Sequence, residues 1–550
     1  MDALAQIGGP LAALGVIGLL LGRGRAVRLA GLLLMTCGGW LAAAAFIPHT
    51  GLVSFASVAL IVLVVVTALV VVLRRWPALL PVLALACVPA RLPFKLSDSN
   101  YNSFVLLYLV ITAATLVLAL EIYRGDKRSR ELGPIAWPLV AFVVWSAVSL
   151  IWSIDVRRGS TELDAALLPF TFLALALARL RWSRRLLQGL LIQLVSMALV
   201  FALIGGYQYA TRDIFWNPKV INSNAYAPFF RVNSVFWDPS IYGRFLVLAI
   251  LACLALVLTR AGRSWLSAAA CAIGALWIGL ALSFSQSGYS TRLAWAWWPL
   301  LVLAALTCLA LAGILAGRSW LAASTCAIGA LWIGLALSFS QSSFAALAAG
   351  VLAAALVAWR RRAMVSLLAV SMLIVPVALT TPQARAKILN GSKNDLSSIT
   401  SARSTLVDHG IRIAAHHPVI GVGIGGFRRA YADSTGLSGR DLRKAASHTT
   451  PVTVAAEEGL VGFALFVWLL AASLLVTFRR AGPTFSGRVQ LVCALALTAI
   501  AVQSLFYADL FEDPMTWGFL AVAVAAPLTL KRETSALSGG SGSVAGTPPQ

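Results

Sequence analysis

Apolar residues come in long unbroken runs along this chain. Leu52–Leu73, Ser103–Ile122, Leu186–Tyr207, Trp265–Leu282 and Leu460–Val476 are examples, rich in Ala, Leu and Val. A helical bilayer crossing needs about 20 apolar residues. Lipid offers no partner for backbone N–H and C=O groups, so a spanning segment must satisfy them internally, as a helix does. A β-barrel would instead show short alternating segments. Apolar length predicts roughly 17 helices. The fold class expected is all-α: a polytopic transmembrane bundle of about 14–17 helices with a long, partly helical extracytoplasmic loop.

The connecting segments alternate in character. One set is short and basic, with Arg23, Arg25 and Arg28, then Arg74 and Arg75, Arg124 to Arg130, Arg179 to Arg185, Arg260 and Arg263, Arg318, Arg360 to Arg362, Arg479 to Arg488, and finally Lys531 and Arg532. The other set is poor in charge, mixed or long, near His49, Lys95, Asp155, Arg231, Gln286, Gln341, the stretch 381–450, and Asp509–Asp513. Cytoplasmic loops are enriched in Lys and Arg. The first set is therefore expected inside and the second outside. The chain then divides into N-terminal helices (1–200), a central region (201–380), an extracytoplasmic loop (381–450), C-terminal helices (451–532) and a disordered cytoplasmic tail (533–550).

Composition agrees with a membrane protein. Of 550 residues, 60% are hydrophobic and 11% charged, and mean hydropathy is +0.87. Soluble domains carry about 25% charged residues. The net charge of +23 reads as topology rather than as affinity for nucleic acid, and no nucleic-acid partner is expected. Met1–Gly22 lacks a basic start and reads as a first helix, not a cleaved signal. The 7 Cys form no CxxC pair and mostly sit in apolar runs, where small buried residues are expected.

Gly262–Ser287 recurs almost unchanged as Gly317–Ser342, each ending in SFSQS. Two near-identical copies point to a local duplication rather than a solenoid, which needs at least three units. The inserted length holds two helices, so downstream topology is kept.

Chemistry is expected on the outer side. Arg231, Arg403, Arg412, Arg428 and Arg429 oppose the positive-inside preference. Each alone can be a snorkelling interface residue. Together they offer a site for an anion, because guanidinium binds phosphate bidentately. Arg231 precedes the polar Asn233–Asp238 stretch and a helix expected to begin near Pro239, with Asp238 before it. His448 sits just before a helix expected over 452–476, with Glu457 nine residues further on. If that helix is continuous, Glu457 and Glu458 lie inside the outer leaflet, where ionisable groups are functional candidates. A solvated loop histidine and a packing carboxylate remain the plain alternatives. There is no DxD pair, HExxH, P-loop or GxSxG, and His416–His417 has no partner at metal-ligand spacing. Neither a metal nor a cofactor is expected.

In order and spacing these residues resemble the O-antigen ligase/polymerase family of bacterial membrane glycosyltransferases. The resemblance covers about residues 200–475. It rests on Arg403–Leu406, on Pro418-Val419-Ile420-Gly421-Val422-Gly423-Ile424-Gly425-Gly426-Phe427, on His448-Thr449, and on Glu457-Glu458-Gly459-Leu460. Arg231–Phe245 resembles an earlier family element, and Ser340–Ser343 or its duplicate at Ser285–Gly288 resembles an S-R-G step. The chain departs from the family at Leu406, Thr449 and Gln341, which replace an aromatic, an Asn and an Arg. The resemblance implies a polyprenyl-diphosphate-linked glycan donor, a glycan or glycolipid acceptor, membrane lipid around the site, and a multi-pass protein of the inner membrane. Catalytic roles then fall on His448, Arg403, Arg231 and Glu457. Lipid-diphosphate binding falls on Arg231, Arg403, Arg412, Arg428 and Gln341. Ligase and polymerase are not separated at this level. The rival from another class is a polysaccharide or lipid-linked oligosaccharide transporter or flippase, whose sign would be mid-membrane charges and related halves.

Overall fold

The computed structural model describes residues 2–44, 52–90, 92–96, 99–126, 131–226, 230–260, 319–359, 403–436 and 448–539. Helices run in the order α1 (Asp2–Leu21), α2 (Arg25–Ala43), α3 (Leu52–Arg75), α4 (Leu79–Cys87), α5 (Val105–Tyr123), α6 (Ala136–Ser149), α7 (Val156–Glu162) and α8 (Leu168–Ala178). They continue as α9 (Arg184–Thr211), α10 (Pro218–Tyr226), α11 (Pro239–Arg260), α12 (Ser319–Ser338), α13 (Gln341–Trp359), α14 (Arg403–His416), α15 (Phe427–Thr435), α16 (Thr450–Arg480), α17 (Phe485–Gln503) and α18 (Pro514–Gly539). A π-helical turn, Leu163–Leu167, joins α7 to α8. Among the described residues, 11 helices are long and apolar enough to cross a membrane. The protein is a polytopic helical bundle. A short hairpin between α4 and α5, Leu92–Leu96 against Ser99–Ser103, is the one departure from helix in the expected fold class among the described residues.

Side chains with no polar alternative build two apolar cores. One joins α1, α2, α5, α6, α8, α16 and α18; the other joins α9, α11, α12, α13 and α17. Between helices already surrounded by lipid, close packing rather than water exclusion supplies the attraction. The α1–α2 contact shows this: Gly8, Gly15, Gly31 and Gly38 bring the two backbones so near that a Cβ at any of them would strike the opposite helix.

Among the described residues, some of the segments that the sequence sorted by charge touch others of the same group. On the basic side, Arg28 bonds Glu131 at 2.9 Å, and Arg179 bonds Glu131 and Asp126 at 2.5 Å and Glu121 at 3.2 Å. On the other side, Ile154 N–H donates to Val422 C=O, Val232 N–H to Leu337 C=O, and Thr450 N–H to Ser504 C=O.

Several expectations meet a boundary or a correction. The helix expected over 452–476 begins at Thr450 and is broken at Gly459, where φ is 68° and ψ −167°. The helix α18 continues past Lys531 to Gly539, so the first part of the expected tail is helical. The first repeat copy, Gly262–Ser287 with Trp265–Leu282 inside it, lies outside the described residues, as do Arg360–Arg362 and the stretches 381–402 and 437–447 of the long loop. The side chains of Arg403 and Tyr226, and all of Phe229, also lie outside them.

Candidate functional site

A broken helix leaves backbone groups without their usual partners four residues away. In α16 the break at Gly459 frees the carbonyls of Ala456 and Glu457 and the N–H groups of Leu460 and Val461. The glycine-rich run takes up all four. Val422 N–H donates to Ala456 C=O at 3.0 Å and Gly423 N–H to Glu457 C=O at 2.7 Å. Leu460 N–H donates to Pro418 C=O at 2.8 Å and Val461 N–H to Val419 C=O at 3.3 Å. Trp145 Nε1 donates to the Glu458 carbonyl at 3.0 Å. Such irregular backbone is tolerated at membrane depth only where protein covers it.

Glu457 locks the same unit. It is 5% exposed. Its carboxylate accepts from Gly425 N–H and Phe427 N–H, both at 3.0 Å. Phe427 opens α15, so the carboxylate also sits where a helix N-terminus favours negative charge. A small apolar cluster of Ile413, Val422, Phe427, Tyr431 and Ala456 holds α14 and α15 against the first part of α16. The described part of the long loop is therefore a folded cap.

Arg231 is anchored to α10 and to the end of α12. Its backbone N–H donates to Asn224 Oδ1 at 3.0 Å, and its Nε donates to Ser338 C=O at 3.3 Å. Ser338 starts the SFSQS turn of the second repeat copy. In that turn Ser340 and Ser343 hydroxyls lie 2.8 Å apart, and Ser343 Oγ donates to Ser240 C=O. Ser240 is in the first turn of α11, which begins at Pro239 as expected and whose Ser240 N–H is capped by Asp238 at 2.7 Å.

A buried ion cluster lies next to this turn. Arg244, 3% exposed, donates to Asp513 at 2.6 Å, to Gln503 Oε1 at 2.8 Å and to Asp509. Gln503 Nε2 in turn donates to Ser240 C=O at 2.9 Å and Ser343 Oγ at 3.2 Å. The next residue, Ser504, accepts from Thr450 N–H at 2.8 Å. Thr450 is two residues past His448. A continuous polar path thus runs from Arg231 through the SFSQS turn and Gln503 to the start of α16. The sequence marked both ends of this path but assigned Arg244, Gln503, Asp509 and Asp513 no role. The available signal was one Arg early in an apolar helix and two Asp in a segment predicted to lie opposite the basic loops.

The backbone is strained here. Positive φ at non-glycine residues occurs at Arg212, Asn217, Ser234, Phe339 and His448 among the described residues, and all five belong to this end of the bundle. Such conformations cost about 1–3 kcal/mol each and cluster at functional sites.

The remaining expected residues are placed less centrally. Arg412 pairs with Asp408 at 2.9 Å on the exposed face of α14. Gln341 is exposed at the start of α13. Arg428, in the first turn of α15, lines a cavity of about 140 Å³ beneath the cap together with Thr450, Glu457 and Glu458. Arg403 begins α14.

Residues 326–467 match the family described as O-antigen ligase. Among curated proteins none matches the chain. The matched stretch runs from inside α12 through the SFSQS turn, the cap and the break in α16. It supports the resemblance to O-antigen ligases, and with it an O-antigen ligase-like enzyme in a multi-pass membrane protein.

Proposed function

We propose that this O-antigen ligase-like chain moves a glycan from a polyprenyl diphosphate to an acceptor hydroxyl at the outer face of the cytoplasmic membrane. The single observation that carries the reading is the polar path from Arg231 to the turn after His448, built by segments that the charge pattern puts on one side.

In this reading the acceptor O–H attacks the anomeric carbon of the donor. The bond from that carbon to the phosphate oxygen breaks, and polyprenyl diphosphate leaves. Negative charge grows on the leaving oxygen, and fixed cations stabilise it most in the transition state. Arg231 and Arg403 carry that role, with Arg412 and Arg428 in reserve and Gln341 as a neutral contact. His448 takes the acceptor proton, since imidazole titrates near neutrality. Glu457 is a positioning residue: its carboxylate holds the glycine-rich turn that caps the site. No step calls on a metal or nucleotide. The lipid tail of the carrier lies among the helices.

The test is glycan transfer by purified protein from a polyprenyl-diphosphate oligosaccharide to candidate acceptors. Transfer that disappears in His448→Ala is the expected result. Full transfer by both His448→Ala and Arg231→Ala sinks the assignment. Product length separates the two chemistries: a polymerase extends repeats, whereas a ligase moves a finished chain once.

A further inference from the structure

We infer that the apolar cavity bounded by α4, α9, α17 and α18 is a binding site for an anionic phospholipid of the cytoplasmic leaflet, with an acyl chain inside it and the phosphate at Arg184 and Arg488. The inference is independent of the glycan-transfer reading.

The cavity measures about 420 Å³, within the roughly 300–1,000 Å³ of small-molecule pockets. Leu191, Leu194, Val492, Phe519 and Val522 are among its walls. Among the described lining residues the strongly polar side chains are Gln188 and Arg488, besides Trp182, whose indole N–H already donates to Leu177 C=O at 3.1 Å. Buried water needs roughly two to four polar partners, so this space suits a hydrocarbon chain instead. Ile192 lines it too and is 65% exposed, so the cavity opens on the flank of α9. Gly518 is a further lining residue, and a Cβ there would meet nothing within 4 Å.

The cavity is cationic where α17 begins. Phe485, Arg488, Val489 and Val492 line it from one face of that helix, at helical spacing. The Arg488 guanidinium stands 5.9 Å from the centroid of the Phe485 ring, and the guanidinium of Arg184, at the start of α9, stands 5.5 Å from the same centroid. One ring is thus shared by two cations. The helices α9 and α17 both start here, capped by Ser183 and Thr484, and helix N-termini favour negative charge. Both arginines belong to connections that the charge pattern puts on the cytoplasmic side. Basic pockets between transmembrane helices on that side bind anionic head groups, and guanidinium takes phosphate in a fork. The donor's diphosphate belongs elsewhere: α16 runs from Thr450 to Arg480, so Arg488 follows the end of that helix opposite to His448. A phosphate at the arginines and a chain in the apolar space together describe a phospholipid, bound across α9 and α17.

The experiment is native mass spectrometry of the purified full chain, which counts bound lipid. Phosphatidylglycerol and phosphatidylcholine with identical acyl chains are titrated, and polyprenyl phosphate serves as competitor. Wild type is expected to hold phosphatidylglycerol more tightly than phosphatidylcholine. Arg184→Gln and Arg488→Gln are each expected to weaken phosphatidylglycerol binding about fivefold, and together about thirtyfold, the contribution of one and of two basic side chains at an anionic lipid surface. Phosphatidylcholine binding should not change in them. Gly518→Leu fills open space and favours the helix, and should lower the occupancy of both lipids. Arg184 is exposed, so if Arg488→Gln does not fold, Arg184→Gln and Gly518→Leu carry the test. Equal affinity of wild type for the two lipids overturns the inference. So does unchanged binding in the folded arginine variants or in Gly518→Leu, and so does displacement of phosphatidylglycerol by polyprenyl phosphate at equal concentration.

Discussion

Gly459 lies directly against the carbonyl oxygen of Val419, so that a Cβ at position 459 would collide with it. The contact is possible because Gly459 adopts φ 68°, which only glycine does freely. Gly421 answers it from the other side, at the same φ, against the carbonyl of Glu457. Two motifs far apart in the chain thus interlock through their backbones.

Gly459→Ala is expected to destabilise the protein by more than the about 1–3 kcal/mol that a backbone conformation open essentially to glycine alone costs another residue, because the collision adds to it. Thermal unfolding in detergent reads the loss. A variant as stable as wild type would show that the break in α16 is not required.

Glu457→Gln replaces one accepting oxygen with an NH2 that faces a backbone N–H. The expected cost is about 1–3 kcal/mol, felt at Gly425 and Phe427. Hydrogen exchange at residues 418–427 should quicken, and transfer should fall with it. Unchanged exchange would remove the positioning role.

Arg244→Met strands two buried carboxylates, Asp509 and Asp513. Removing one partner of a buried ion pair costs about 3–5 kcal/mol. Arg244→Lys is not expected to restore stability, since a point charge cannot serve three acceptors spread over Gln503, Asp509 and Asp513. Chemical or thermal unfolding of both variants decides it.

Arg231→Ala is expected to lower transfer about 10²- to 10³-fold, the range seen when one fixed transition-state stabiliser is lost. The protein should remain in the membrane at normal level. Loss of the protein itself, by immunoblot of membranes, would mean that Arg231 acts through the Ser338 contact alone.

Topology has its own test. In a chain with its 7 Cys replaced, a cysteine at position 448 should react with a membrane-impermeant thiol reagent in intact cells, and one at position 184 should not. The reverse pattern would put the site on the wrong side for a donor outside.

The sequence by itself determined the class of molecule. Runs of apolar residues predict lipid-facing helices, and basic loops at every second connection predict how the segments sort into two groups. It also placed the start of α11 at Pro239 and marked His448, Glu457 and the glycine-rich run, because local signals such as a cap, a turn or a charge at depth are written in neighbouring residues. Tertiary structure decided what those residues touch. No local rule says that Gly459 breaks α16, since the apolar run continues through it; the break exists because Pro418, Val419, Val422 and Gly423 supply the lost backbone partners. Nor does any spacing join Arg244 to Asp513, 269 residues away. A buried charge needs its counter-charge in space rather than in sequence, and only the packed bundle brings the two together.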